Sequence, residues 1–253
     1  MGIFADTFDF IAGLPAIVGL ILTAAAIFLT SDWRLSLTSL LVQYVLVGLT
    51  LTRFVQAELA VVKILVGVLI VSMLFLSARH VRDDDDAQET SADDMQFLGM
   101  HVGWRAGPLG LPLRILTLIM VFVAAIHFFD DYRTLLPVLD AGSAAVSADI
   151  AFVSMWLAAM GLMGLVISGD PVRVAPAVLT TLTAFELVYA LLEPDLAVVG
   201  FVAALMLMAA LALAYLITVR GLRERRAREA SRAEVLPAAM PVAIARDEEG
   251  GQG

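Results

Sequence analysis

Four polar side chains interrupt long apolar stretches of this sequence: Gln43, Lys63, His127 and Glu186. A charged group inside a bilayer costs several kcal/mol unless it is paired or hydrated, so each is a candidate for function. A lysine, a histidine and a carboxylate at similar depth could pass protons or form a charge pair that shifts with a neighbour. Glu186 is the most demanding of the four. It lies about three residues, roughly 4–5 Å, from the middle of its apolar stretch. An isolated carboxylate there must be protonated or find a partner. Thr183 and Tyr189 flank it at i−3 and i+3, which gives that helix one polar face. Lys63 is the only lysine in the chain. Simpler readings stand beside these: Lys63 can snorkel to the surface, His127 can be interfacial next to Asp130 and Asp131, and Gln43 can hydrogen-bond between helices.

The elements that would carry these residues are transmembrane helices. The chain has 253 residues, is 60% hydrophobic and only 16% charged, and has a mean hydropathy of +0.91. Ordinary soluble domains are about 45–50% apolar and about 25% charged. The expected fold class is therefore all-α, a polytopic membrane helical bundle of about seven transmembrane helices. The spans read as 11–30, 34–52, 58–78, 111–129, 149–168, 172–192 and 196–219. Each suits a helix crossing roughly 30 Å at about 1.5 Å per residue. Membrane β-strands would be about 10 residues long with strict alternation, and no such alternation is present. Asp170 and Pro171 form an N-cap and first-turn pair that opens the sixth span, and Pro194 closes it. Pro15 sits in the first turns of span one, where proline is tolerated.

Basic residues set the orientation. With seven spans, one side holds thirteen arginines: Arg34, Arg79, Arg82, Arg105, Arg114, Arg173 and seven in the tail. The other side holds Arg53 and Arg133, and Lys63 lies within a span, which accounts for all 16 basic residues. The expected topology is N-terminus outside and C-terminus cytoplasmic, in an inner (plasma) membrane. Lys63, His127 and Glu186 then share the outer half of the bilayer, with Glu58 and Asp149 at its rim.

The organisation that follows is a first three-helix unit over 1–78, an acidic cytoplasmic loop over 79–110, a fourth helix and external loop over 111–148, a second three-helix unit over 149–219 and a cytoplasmic tail over 220–253. The loop carries four aspartates at 83–86 and reads as a solvated connector, so the net charge of −9 does not indicate an acidic binding surface. The tail starts as an Arg-rich helix extension that anchors at anionic headgroups. No basic n-region precedes the first apolar run, which argues against a cleaved signal peptide, and Asp6 stands where myristoylation prefers Ser or Thr.

The chain has no cysteine, which excludes disulfides and thiolate metal or iron–sulfur ligation within it. It carries no P-loop, HExxH, CxxC or Gly-x-Ser-x-Gly motif. A microbial-rhodopsin reading needs a lysine in the last helix, and span seven has none. No catalytic residue, metal ligand or nucleic-acid partner is expected. The small residues Gly161, Gly164 and Ser168, and Gly200, Ala204, Ala210 and Ala214, suit close helix packing within the bundle or between subunits.

Arg34-Leu35-Ser36, then Gln43, then Lys63 followed by Ile64-Leu65-Val66-Gly67-Val68-Leu69-Ile70 and closing with Ala78-Arg79, resembles the first half of the hydrogenase-4 membrane component E family. Leu165-Val166-Ile167-Ser168, a short turn, Arg173, then Glu186-Leu187-Val188-Tyr189-Ala190-Leu191-Leu192, is similar to the three-helix K-type (chain 4L) subunit of complex I. The family's acidic position in the sixth span falls on Leu182, and Glu186 stands one turn further along the same face. The resemblance implies a non-catalytic membrane subunit of a complex I-like or hydrogenase-4-like proton-translocating oxidoreductase complex. It implies no cofactor in this chain, and it implies antiporter-like proton-pumping subunits as partners within the lipid bilayer. Glu186, Lys63, His127 and Gln43 are the proton-relay candidates. The rival readings are a subunit of a multi-subunit cation/proton antiporter and a purely structural membrane scaffold.

Overall fold

The computed structural model describes residues 13–30, 32–52, 57–82, 96–97, 100–101, 111–135, 144–192 and 196–235. They form seven helices: α1 (Leu14–Leu29), α2 (Trp33–Leu51), α3 (Ala57–Arg82), α4 (Leu111–Leu135), α5 (Ala144–Ile167), α6 (Pro171–Leu192) and α7 (Leu196–Val235). A two-residue antiparallel pair, β1 (Gln96–Phe97) with β2 (Met100–His101), is the sole strand structure among the described residues. The protein is an all-α, multi-pass membrane-type bundle.

Six described helices are long and apolar enough to cross a bilayer. The seventh, α1, has 16 described residues, fewer than the expected span 11–30; residues 11 and 12 lie outside the described residues. A 16-residue helix rises about 24 Å, short of a hydrocarbon core of about 30 Å. It is nevertheless an integral part of the bundle, since Ala16, Leu20 and Ala24 are buried. Four other boundaries move outward: α4 ends at Leu135, six residues past 129, and α5 begins at Ala144, five before 149. α3 continues one turn past 78 to Arg82, and α7 runs 40 residues, so the Arg-rich extension is helical to Val235. The 83–86 aspartates and the tail beyond 235 lie outside the described residues.

Local sequence explains the short connections. Asp32 caps α2, its carboxylate accepting from the Arg34 amide at 2.9 Å. Asp170 does the same for α6, accepting from the Val172 amide at 3.2 Å with Pro171 in the first turn. Each cap lies within three residues of the preceding helix end, so α1–α2 and α5–α6 are tight antiparallel hairpins.

The helices pack as two three-helix units set counterpart against counterpart: α1 on α5, α2 on α6 and α3 on α7. α2 and α6 contribute to both apolar clusters of the interior. One cluster gathers Leu40, Leu74, Leu179 and Met206 from α2, α3, α6 and α7. The other gathers Leu20, Val47, Trp156 and Leu187 from α1, α2, α5 and α6. α4 lies outside this frame, against α5 and α1, and most of its apolar side chains face outward.

Glycines set the closest helix approaches. A Cβ on Gly48 of α2 would lie 2.5 Å from Ile64 Cγ1, and one on Gly67 of α3 would lie 2.6 Å from Tyr44 Cβ, so α2 and α3 nearly touch. A Cβ on Gly161 of α5 would lie 2.2 Å from Thr181 Oγ1 and 2.9 Å from the Ala177 carbonyl oxygen. Gly161 and Gly164 thus serve packing onto α6 inside the chain. Gly200 has nothing within 4 Å of a built Cβ, and Ala210 and Ala214 are buried in the core. The small-residue stripe of α7 is therefore internal in part.

Candidate functional site

The structure brings Lys63 and Glu186 together. Lys63 sits on the second turn of α3 and Glu186 on the fifth turn of α6, and their side chains are 1% and 3% exposed. Lys63 Nζ donates to Glu186 Oε2. Lysine does not snorkel here, because its head is directed into the bundle by a buried carboxylate. Nζ also lies 2.9 Å from Met206 Sδ of α7 and 5.1 Å from the centre of the Tyr44 ring of α2. Four helices therefore converge on one ammonium group, with a carboxylate, a thioether and an aromatic face around it. The aromatic face adds a favourable cation–π contact. Gly67, one turn after Lys63, is what admits Tyr44 to this position.

Polar atoms surround the pair without being satisfied by it. Glu186 Oε1, the Tyr44 hydroxyl and Gln43 Nε2 are buried and have no hydrogen-bond partner in the protein. Buried polar groups are rarely left so. The Tyr44 hydroxyl lies beside Thr183 and Glu186. Thr183 is fully buried and donates to the Leu179 carbonyl at 2.8 Å, the usual back-bond of a hydroxyl within a helix.

Gln43 joins this region from the other direction. It is fully buried on α2, and its Oε1 faces the Thr180 hydroxyl of α6 at 3.5 Å, the long limit of a hydrogen bond. Thr180 in turn lines a cleft that opens at the end of the bundle where α2, α4 and α6 begin. From Thr180 to Glu186 is six residues, about 9 Å along the axis, and Thr183 and Tyr44 fall between them.

His127 is not part of this constellation. It is on the exposed side of α4, its ring 5.5 Å from that of Phe128 in an edge-on arrangement, and α4 packs mainly on α5 and α1. Asp149 is also exposed, and the Glu58 side chain lies outside the described residues. The expected polar face of α6 divides: Thr183 turns inward with Glu186, whereas Tyr189 lies against Phe185, 5.8 Å between ring centres, and Phe185 is exposed. Tyr44, Thr180 and Met206 belong to the site although the sequence reading does not single them out. The threonine run at 180, 181 and 183 and a tyrosine beside Gln43 were the available signals; nothing about Met206 distinguishes it from other core methionines. Among the described residues, no group of three His, Asp or Glu could hold a metal ion. The chain matches no family model, no curated protein and no solved structure.

Proposed function

We propose that this chain is a non-catalytic membrane subunit of a proton-translocating complex of the hydrogenase-4 or complex I type, and that Lys63 and Glu186 form its proton-exchanging pair. The observation that supports this reading is a lysine–carboxylate pair sealed inside the bundle, with its own Glu186 Oε1 unsatisfied and Tyr44 beside it. Such a pair stores one proton in two ways, on the ammonium in the ionised form or on the carboxyl in the neutral form. Charge arriving nearby shifts the balance, because a buried pair is weakly screened. Gln43, Thr180, Thr183 and Tyr44 provide hydroxyl and amide groups between the pair and the cleft that Thr180 lines.

The outward faces of α4 and α7 are largely apolar, which suits lipid and partner subunits. In this reading the partners are antiporter-like pumping subunits, the membrane is the inner (plasma) membrane, and the end bearing most arginines is cytoplasmic. The test is gentle solubilisation from the native membrane, identification of co-migrating chains, and proton uptake by vesicles carrying the intact complex. Co-migration with oxidoreductase subunits, and lost proton uptake in assembled Glu186→Gln, is the expected result. Recovery as a lone monomer, or full proton uptake in that variant, overturns the reading.

A further inference from the structure

Buried polar side chains are distributed unevenly about the Lys63–Glu186 pair. On the facing helices α2 and α6, Ser36, Ser39, Gln43, Thr180 and Thr183 are buried on the side of the pair where both helices begin. On the opposite side, Thr50 is the sole buried polar side chain among the described residues of these two helices. Its hydroxyl donates to the Leu46 carbonyl of its own helix at 2.9 Å. Tyr189, the other polar residue there, is half-buried and lies against exposed Phe185. The interior on that side is made by Val47, Leu51, Ala60, Leu187 and Val202, from all four helices of the site. Gly48 draws α2 onto α3 in the same region. A Cβ at 48 would lie 2.5 Å from Ile64 Cγ1 and 3.3 Å from the Ala60 carbonyl oxygen, so the contact has no room for even a methyl group.

The side where α2 and α6 begin differs in chemistry and in space. Thr180 faces Gln43 between these helices and lines the cleft, together with Ser36 and Arg114. The cavity in that cleft is about 20 Å³, room for one water molecule. Polar partners for that water are present: Arg114 Nε is buried without a hydrogen-bond partner, and Thr180 and Ser36 carry hydroxyls. Deeper in, Gln43 Nε2 and Glu186 Oε1 also lack partners. Helical side chains lean toward the start of their helix, so the Glu186 carboxyl leans toward the cleft end. We propose, on the reading of this pair as proton-exchanging, that water reaches it from the cleft end alone. The pair then takes up and returns its proton on one side of the membrane. The route runs from the cleft past Thr180 and Gln43, then Thr183 and Tyr44, to Glu186. An arriving proton neutralises the Glu186 carboxylate, and its departure by the same route restores the ion pair with Lys63. A chain built this way does not conduct protons across the bilayer by itself. It loads charge from one side, and the crossing belongs to another subunit.

The chain has no cysteine, so a single introduced thiol reports alone. The test uses right-side-out and inverted vesicles of the native membrane that carry single-cysteine variants of the full chain. Silver nitrate is the thiol probe, since the silver ion is close to water in size. After a pulse of silver the protein is denatured, remaining thiols are alkylated, and the alkylated peptide is measured by mass. Tryptic cleavage at exposed Arg223 and Arg226 reports which side the cleft end faces, because neighbouring Arg220 donates to the Gly169 carbonyl at that end. Ser36→Cys and Thr180→Cys exchange a hydroxyl for a thiol at the cleft, and Thr183→Cys does so beside the pair. All three should lose alkylation when silver is added on the side where Arg223 is cleaved, and keep it when silver is added on the other. Thr50→Cys should keep alkylation from both sides. One-sided access is refuted if Thr50→Cys is blocked from the side opposite the cleft, or if Thr183→Cys is blocked from that side or from neither. The two readings fail separately. Two-sided blocking with proton uptake lost in Glu186→Gln removes the one-sidedness and leaves the exchanging pair. One-sided blocking with full uptake in Glu186→Gln removes the exchanging pair and leaves the water access.

Discussion

Removing one member of the Lys63–Glu186 pair should be far more damaging than removing both. Each side chain is almost wholly buried, 1% and 3% exposed, so neither can turn to water when its partner is lost. Loss of one partner from a buried pair costs about 3–5 kcal/mol, whereas exchanging both for apolar groups of similar volume is often neutral or stabilising. Lys63→Met and Glu186→Leu should therefore each destabilise the protein by about 3–5 kcal/mol, and the double variant by much less than the sum. Met206 and Tyr44 already offer a thioether and a ring at the lysine head, so a methionine at 63 finds apolar neighbours. The assay is reversible unfolding in mixed micelles as denaturing detergent is increased, read through the tryptophans, for the wild type, the two single variants and the double. A coupling energy of several kcal/mol is expected. Additive effects, with coupling under about 0.5 kcal/mol, would mean that the two groups do not depend on each other, and the reasoning from burial would be refuted.

Other expectations concern the frame and the periphery. Gly67→Ala should destabilise by about 1–3 kcal/mol, since its Cβ would meet Tyr44 Cβ at 2.6 Å, while Gly200→Ala, with open space around it, should be neutral or stabilising in the same assay. His127→Phe should leave both stability and proton uptake unchanged, because His127 faces outward on α4; a loss of uptake would reinstate it as a relay member. Gln43→Leu should preserve assembly, since one of its polar atoms already lacks a partner, but slow proton uptake if water passes through Gln43 and Thr180. Reporter fusions after Val219 should read cytoplasmic and fusions between Tyr132 and Ala148 external, from the thirteen-to-two division of arginines.

The helical membrane bundle, six of its spans and the Asp170 cap were legible in the sequence. Long apolar runs bounded by charges leave the backbone no other way to satisfy its hydrogen bonds in lipid, and a cap acts over two or three residues of chain. The sequence also marked Lys63 and Glu186 as residues that a bilayer would not leave alone, since the desolvation of a charge depends on depth, and depth is read along the chain. Which charge meets which is another matter. Lys63 and Glu186 are 123 residues apart, and their meeting depends on α3 and α6 facing the same interior. That facing is set by α3 packing on α2 and α7, and by α2 packing on α6. Gly48 and Gly67 make the α2–α3 approach close enough, through an absence of side chain whose meaning appears only when the opposing atoms are known. The same holds for His127 and Arg114, both on α4. Their residue types and depths suggested a relay histidine and a topology-setting arginine, but the rotation of α4 against α5 and α1 turns the histidine outward and brings the arginine to face Arg173. Helix rotation is a property of packing, with no signature in a helix as uniformly apolar as this one.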